Sequence, residues 1–132
     1  DVRGSLIDCE IKNPTTLASY KRWYVPVFSP TYFFQVQWAM AVRNRQRMYF
    51  IATSYDAKTE VLQEYAIWLV TFAKDFFVRA VLPTSRKIAD SILAQDRGYY
   101  IEADAPWINE RGRFARSKEY AKLFQDHCTR VH

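Results

Sequence analysis

The first stretch with a clear period is Ser5-Leu6-Ile7-Asp8-Cys9-Glu10-Ile11-Lys12, where apolar and polar residues alternate before Asn13-Pro14 stops the pattern. A period of two predicts a strand. Its odd positions Ile7, Cys9 and Ile11 are expected to form the buried face. Asp8, Glu10 and Lys12 then share the other face, about 6 to 7 Å apart along the strand. Positions 13–28 lack periodicity and read as a long loop, with a short helical turn near Leu17 to Trp23. Ser29-Pro30 supplies an N-cap and a proline at the first helical position, so a helix is expected over Thr31 to Arg43. On that helix Phe34 and Trp38, with Met40 and Val42, are expected to be buried, and Gln35 lies one turn before Ala39.

Arg43-Asn44-Arg45-Gln46-Arg47 is a polar, cationic turn leading into Met48 to Thr53, an apolar run that fits a buried strand. Tyr55 to Thr59 turns the chain, and Val61 to Val70 is its antiparallel neighbour. Helical spacing resumes from Phe72 to about Leu93, with Pro83 expected to kink that helix or begin another. A loop follows through Pro106, then a charged amphipathic helix from about Arg113 to His127. This order of elements predicts an α/β fold: a mixed central sheet flanked by helices, the Glu10 strand beside the Met48 strand and joined to it by a right-handed crossover.

Composition narrows the class. The 132 residues are 49% hydrophobic and 25% charged, enough for one folded domain and too apolar for a disordered tail. Three Gly and five Pro exclude collagen-like and linker composition. No apolar run approaches the ~18 residues of a membrane span, so a soluble protein is expected. The two distant cysteines, Cys9 and Cys128, are either free thiols or one bridge and form no zinc-like cluster, even with His127 and His132 near Cys128; a reducing intracellular compartment is the simpler reading. A formal charge of +5 favours an anionic partner without identifying it. The 17% aromatic content is mostly core, although Arg22-Trp23-Tyr24 interleaves rings with cations as nucleic-acid surfaces do. No P-loop and no Ser/His/Asp motif is present.

The chemistry converges on the first strand. Converging carboxylates suit Mg²⁺, a hard cation preferring oxygen ligands, and an adjacent lysine stabilises phosphate charge or orients an attacking water. Asp1, Asp8, Glu10 and Lys12 offer such a set, though an isolated E-x-K is common on solvated strands. The wider series carries more information. Glu10-Ile11-Lys12-Asn13-Pro14, a loop, Tyr32-Phe33-Phe34-Gln35-Val36-Gln37-Trp38-Ala39-Met40, then Met48-Tyr49-Phe50-Ile51-Ala52, Tyr55-Asp56 and Ile67-Trp68-Leu69-Val70 resembles the lambda exonuclease (YqaJ-like) branch of the PD-(D/E)xK nucleases. The resemblance covers roughly residues 1–95.

That resemblance implies a restriction-endonuclease-like core, incomplete at its N-terminal side, acting as a Mg²⁺- or Mn²⁺-dependent DNA nuclease that resects duplex DNA in recombination or viral DNA processing. Glu10 matches the metal-binding glutamate, Lys12 the catalytic lysine and Gln35 the helix glutamine facing the site. The main-chain carbonyl of Ile11 is a further metal ligand by the same resemblance, and Asp1 is the candidate first aspartate. No Ser-Pro precedes Asp1 and no Gly directly follows it, so Asp8 stands as the alternative. Arg43, Arg45 and Arg47 are candidates for gripping a DNA backbone. The implied partners are double-stranded DNA, a single-strand annealing protein and further copies of the chain, with no membrane. The implied location is the cytoplasm of a bacterial host, or the nucleus for a large eukaryotic DNA virus. The chain begins at the motif, so it is expected to be part of a longer protein. Residues 96–132, with Arg111, Arg113, Arg116 and Lys118, form a basic extension outside the resemblance. A catalytically inactive nucleic-acid-binding or structural module that keeps this fold is the competing expectation.

Overall fold

The computed structural model describes residues 7–93 and 117–132. Asp1, the start of the first strand at Ser5 and Leu6, and Arg111, Arg113 and Arg116 lie outside the described residues. The chain forms β1 (Cys9–Lys12), α1 (Leu17–Trp23), α2 (Pro30–Val42), β2 (Arg47–Tyr55) and β3 (Leu62–Thr71), in that order. Next come α3 (Lys74–Phe76), a π-helical turn at Phe77–Val81 and α4 (Leu82–Leu93). The described chain finishes with α5 (Lys118–His127) and β4 (Cys128–Arg130).

The four strands make one mixed sheet in the order β1-β2-β3-β4. β1 runs parallel to β2, with Glu10 opposite Phe50 and Lys12 opposite Ala52. A parallel pair needs a crossover, and α1 and α2 provide it. β2 and β3 are antiparallel, with a register shift at Ser54/Tyr55. Their connection is closed by Asp56, whose Oδ1 accepts from the backbone N–H of Lys58 and Thr59, each at 2.9 Å. Those bonds hold the Asp56 carboxyl below its usual range.

Local chemistry explains the helix boundaries. Thr16 caps α1 by accepting from Ser19 N–H at 3.0 Å, and Ser29 precedes Pro30 at the start of α2. α2 ends where Asn44 enters the left-handed region at φ 53. Arg45 N–H then bonds Met40 O at 2.8 Å and Asn44 N–H bonds Ala41 O at 3.2 Å, the pairing of a Schellman turn. The departure from α geometry expected at Pro83 takes the form of the π turn just before it. Proline has no N–H for the carbonyl four residues back, and its ring would crowd that carbonyl.

The even positions of β2, namely Met48, Phe50, Ala52 and Ser54, are buried, as are Ala66, Trp68 and Val70 of β3. Against them pack Tyr20 and Tyr24 from the first helix region, Phe33, Val36 and Met40 of α2, and Tyr120, Leu123 and Phe124 of α5. Phe28 is the hub, with ring centroids 4.1 Å from Phe50, 5.3 Å from Trp68 and 4.8 Å from Phe124. Burying a ring of this kind stabilises the fold by about 2–3 kcal/mol. Tyr120 Oη also donates to Phe28 O at 2.6 Å, tying α5 to the loop between α1 and α2. The C-terminal segment therefore supplies core side chains and the fourth strand, with Leu69 opposite Thr129. Among the described residues no helix is long and apolar enough to cross a membrane.

Two expectations about faces are corrected. On β1 it is Cys9 and Ile11 that are exposed, Ile11 at 58%, while Glu10 and Lys12 are half-buried. The register explains the inversion: Glu10 and Lys12 pair with Phe50 and Ala52, so they lie on the core face at the rim of the sheet. On α2 the inward stripe is Phe33, Val36, Gln37 and Met40, whereas Trp38 is 40% and Val42 67% exposed and Phe34 is half-buried. α2 is apolar around most of its circumference, so periodicity alone does not select the face that meets the sheet.

Candidate active site on the edge strand

The side chains of Asp8, just before β1, and of Glu10 and Lys12 within it fall on one face, as alternation requires. Lys12 Nζ lies 3.1 Å from Glu10 Oε1, with the lysine side chain 25% and the glutamate 35% exposed. The same ammonium sits over the ring of Tyr32, 5.2 Å from its centroid. Tyr32 in turn stacks on Tyr24, ring centroids 5.0 Å apart and planes inclined by 10°, and the two hydroxyls lie 3.1 Å apart. Phe50 closes the floor, 6.3 Å from Tyr24 and 6.2 Å from Tyr32. Burial first, and the Tyr32 hydroxyl second, push the Tyr24 phenol far above its usual range, so it stays a neutral hydrogen-bonding partner.

Gln35 is exposed and stands one helical turn after Tyr32, on the side of α2 whose ring meets Lys12. The Lys12–Tyr32 contact sets the end of β1 beside the first turn of α2. The Ile11 carbonyl takes a different direction. Asp8 O accepts from Tyr49 N–H at 3.0 Å, so along β1 the carbonyls of Asp8, Glu10 and Lys12 turn to β2 and that of Ile11 turns to the outer edge. Among the described residues that edge has no partner strand. The far end of β1 is fastened by a hydrogen bond from Thr53 Oγ1 to Asn13 Oδ1.

Asp8 is placed otherwise. Its Oδ1 accepts from Arg43 Nη1 at 3.1 Å and its Oδ2 from Arg45 Nε at 3.2 Å. With the aspartate side chain only 18% exposed, this is a clamp between β1 and the end of α2. Left-handed Asn44 lets both flanking arginines reach the same carboxylate. The site sits at the C-terminal, negative pole of α2, which favours the two cations and disfavours an added phosphate. Asp8, Arg43 and Arg45 are therefore committed to one another. Arg47, at the start of β2, is exposed.

The residue that sequence reasoning missed is Gln37. Wholly buried, it donates from Nε2 to Thr71 O at 3.0 Å and accepts at Oε1 from Ala73 N–H at 2.8 Å. It satisfies both backbone groups where β3 leaves the sheet, so of the two glutamines in Gln35-Val36-Gln37 one is outside and one is structural. Their separation by two residues was the available signal, since positions two apart on a helix do not share a face.

Elsewhere a cavity of about 340 Å³ opens between α3 and α5, lined in part by Asp75, Glu119, Lys122, Asp126 and His127. Asp75 pairs with Arg79 and Asp126 with Lys122, and none of its lining residues belongs to the β1 site. Among the described residues no three His, Cys, Asp or Glu side chains converge as a metal cluster. On β1 the donors of the kind Mg²⁺ prefers are the Glu10 carboxylate and the Ile11 carbonyl, both hard oxygens. No family model matches the chain, and none of the curated proteins or solved structures compared with it matches either.

Proposed function

We propose that this chain is the core of a metal-dependent DNA nuclease of the PD-(D/E)xK kind, with Glu10, Lys12 and Gln35 at its active site. The observation that carries the reading is the Glu10–Lys12 pair, half-exposed at the rim of a parallel strand pair and facing the crossover helix that bears Tyr32 and Gln35. The strand, crossover helices and parallel strand follow in the order that the sequence predicts for this sheet. Glu10 and the Ile11 carbonyl would hold Mg²⁺ or Mn²⁺, with Asp1 as a further ligand. When bound, the ion supplies charge neutralisation at the phosphodiester and a water more readily deprotonated. Lys12, with three donor hydrogens and a fixed base, stabilises the phosphate oxygens or orients the water, and Gln35 bonds substrate from the helix side. Duplex DNA is the substrate, and the chain's positive charge favours its backbone.

The competing reading, a non-catalytic module with the same fold, is favoured by one fact: Asp8, the second acid on the strand face, is clamped by arginines. A single assay separates the two. The complete protein is incubated with end-labelled linear duplex DNA and Mg²⁺, Mn²⁺ or Ca²⁺. Hydrolysis with Mg²⁺ or Mn²⁺, lost in Glu10→Gln and Lys12→Ala with DNA retention largely kept, supports the nuclease. Absence of hydrolysis with every ion supports the module.

A further inference from the structure

Lys12 has an unusual seat for a lysine at a strand edge. Four methylenes and a mobile ammonium ordinarily leave such a side chain free in solvent. Here one side of the ammonium meets Glu10 at 3.1 Å and another meets the Tyr32 ring at 5.2 Å. The Tyr32 ring is stacked on Tyr24, itself 6% exposed. The two hydroxyls bond each other, so the tip of the Tyr32 side chain cannot swing away without breaking a part-buried contact. Tyr24 is locked from below by Phe50, a residue with no exposed surface. Phe50 lies as near to Tyr32 as to Tyr24, so the paired tyrosine rings rest together on the sheet core and Tyr32 meets the ammonium.

We propose that Tyr32, backed by Tyr24, is a positioning residue that seats the Lys12 ammonium beside Glu10 through the negative face of its ring. The proposal rests on the nuclease reading for its effect on turnover, while the seat itself is a property of the fold. A neutral ring suits this task better than a second carboxylate. It fixes the cation by attraction without adding a second negative charge, so N–H donors beyond the one that meets Glu10 remain for a phosphate. An aromatic face also tolerates small rotations of the ammonium, which a bidentate partner would not.

The test replaces Tyr32 with Phe and then with mono-, tri- and pentafluorinated phenylalanine in the complete protein. Fluorine drains the negative face while the ring keeps nearly the same shape, so a residue that only fills space is indifferent to the series. Two readouts are taken: kcat and KM on end-labelled duplex with Mg²⁺, and the NMR shift of the Lys12 ε-methylene, which lies in the ring current of Tyr32. Tyr32→Phe, which loses the hydroxyl bond to Tyr24, sets the reference for the series; from that reference kcat should fall stepwise to about tenfold lower at full fluorination, with KM nearly constant. The ε-methylene signal should move downfield in step. A kcat that does not change across the series in an active protein overturns the positioning role and leaves the nuclease reading standing. An inactive wild type overturns the nuclease reading alone, and the ε-methylene series then decides the seat: a shift that does not change with fluorination overturns it.

Discussion

Two carboxylates, Asp8 and Glu10, lie two residues apart on one face of the chain at the edge strand, and the molecule uses them in opposite ways. Asp8 is closed: both oxygens are taken by guanidiniums, and the group fastens β1 to the end of α2. Glu10 is open: one lysine touches it, a third of its surface is free, and a neutral ring rather than a second charge steadies the cation. The same residue types at the same spacing are structure at one position and candidate chemistry at the next. What differs is the neighbour across the groove. Asp8 faces the C-terminal pole of a helix, where arginines gather, and Lys12, the partner of Glu10, meets an aromatic ring in the first turn of that helix.

The sharpest way to break the comparison is to mutate the open pair. Glu10→Gln and Lys12→Ala should each reduce duplex cleavage by about 10²–10³-fold, a scale typical of removing one group that stabilises transition-state charge. In urea unfolding the same changes should alter stability by less than about 1 kcal/mol, because a half-exposed pair is screened by water. Loss of stability without loss of cleavage would make the open pair a second clamp.

Next in size is the glutamine contrast on α2. Gln37→Ala removes both bonds at the β3–α3 junction and leaves the buried Ala73 N–H and the part-buried Thr71 carbonyl without this partner, so urea unfolding should show about 2–3 kcal/mol lost. Gln35→Ala should leave stability within about 0.5 kcal/mol of wild type, as for other surface changes, while lowering cleavage. The reverse pattern would exchange the roles assigned to the two residues.

The closed clamp should respond more mildly. Asp8→Asn removes the charge between two arginines but keeps an acceptor, and about 1–2 kcal/mol of stability should be lost, discounted for the exposed arginine side chains. Cleavage per folded molecule should survive. A Mg²⁺ requirement that weakens in Asp8→Asn would instead place Asp8 among the ligands.

The smallest effect serves as a control far from both pairs. His127, at the end of α5, has its Nδ1 3.0 Å from Thr71 Oγ1, and burial lowers its pKa below the usual value of 6.5, with Asp126 opposing. The unfolded chain then binds a proton more readily than the fold does, so stability is full above about pH 6.5 and falls as pH drops through the lowered value. Thermal melts from pH 7.5 to 5 should show this decline, and His127→Gln should flatten it while leaving the β1 pairs untouched.

Much of the fold was legible because it is local. The helix over Leu17 to Trp23, the Ser29-Pro30 start, the strand from Met48 and the hairpin after Tyr55 each carry caps, turns or periods that act within a few residues. The parallel pairing of the Glu10 strand with the Met48 strand was also accessible, since a strand, a helix and a strand in that order leave few ways to close a sheet. The site was legible in part: the alternation in Asp8-Cys9-Glu10-Ile11-Lys12 puts the charges on one side. Which side that is was not, and neither was the role of Gln37 in a helix apolar on nearly every face.

Alternation, capping and turn chemistry therefore determined the elements, their order and the line of three ionisable groups on β1, because those properties depend on neighbours within one turn or one strand. Register against Phe50 and Ala52 turned Glu10 and Lys12 toward the core rim instead of open solvent. The Schellman turn at Asn44 brought two arginines onto Asp8. The stack of Tyr24 on Tyr32 built a seat for Lys12 from residues 12 and 20 positions away in the chain. These were decisions of tertiary structure alone, because each depends on which distant surface closes over a charge, and burial and partner together set whether a carboxylate is a fastener or is left free to act.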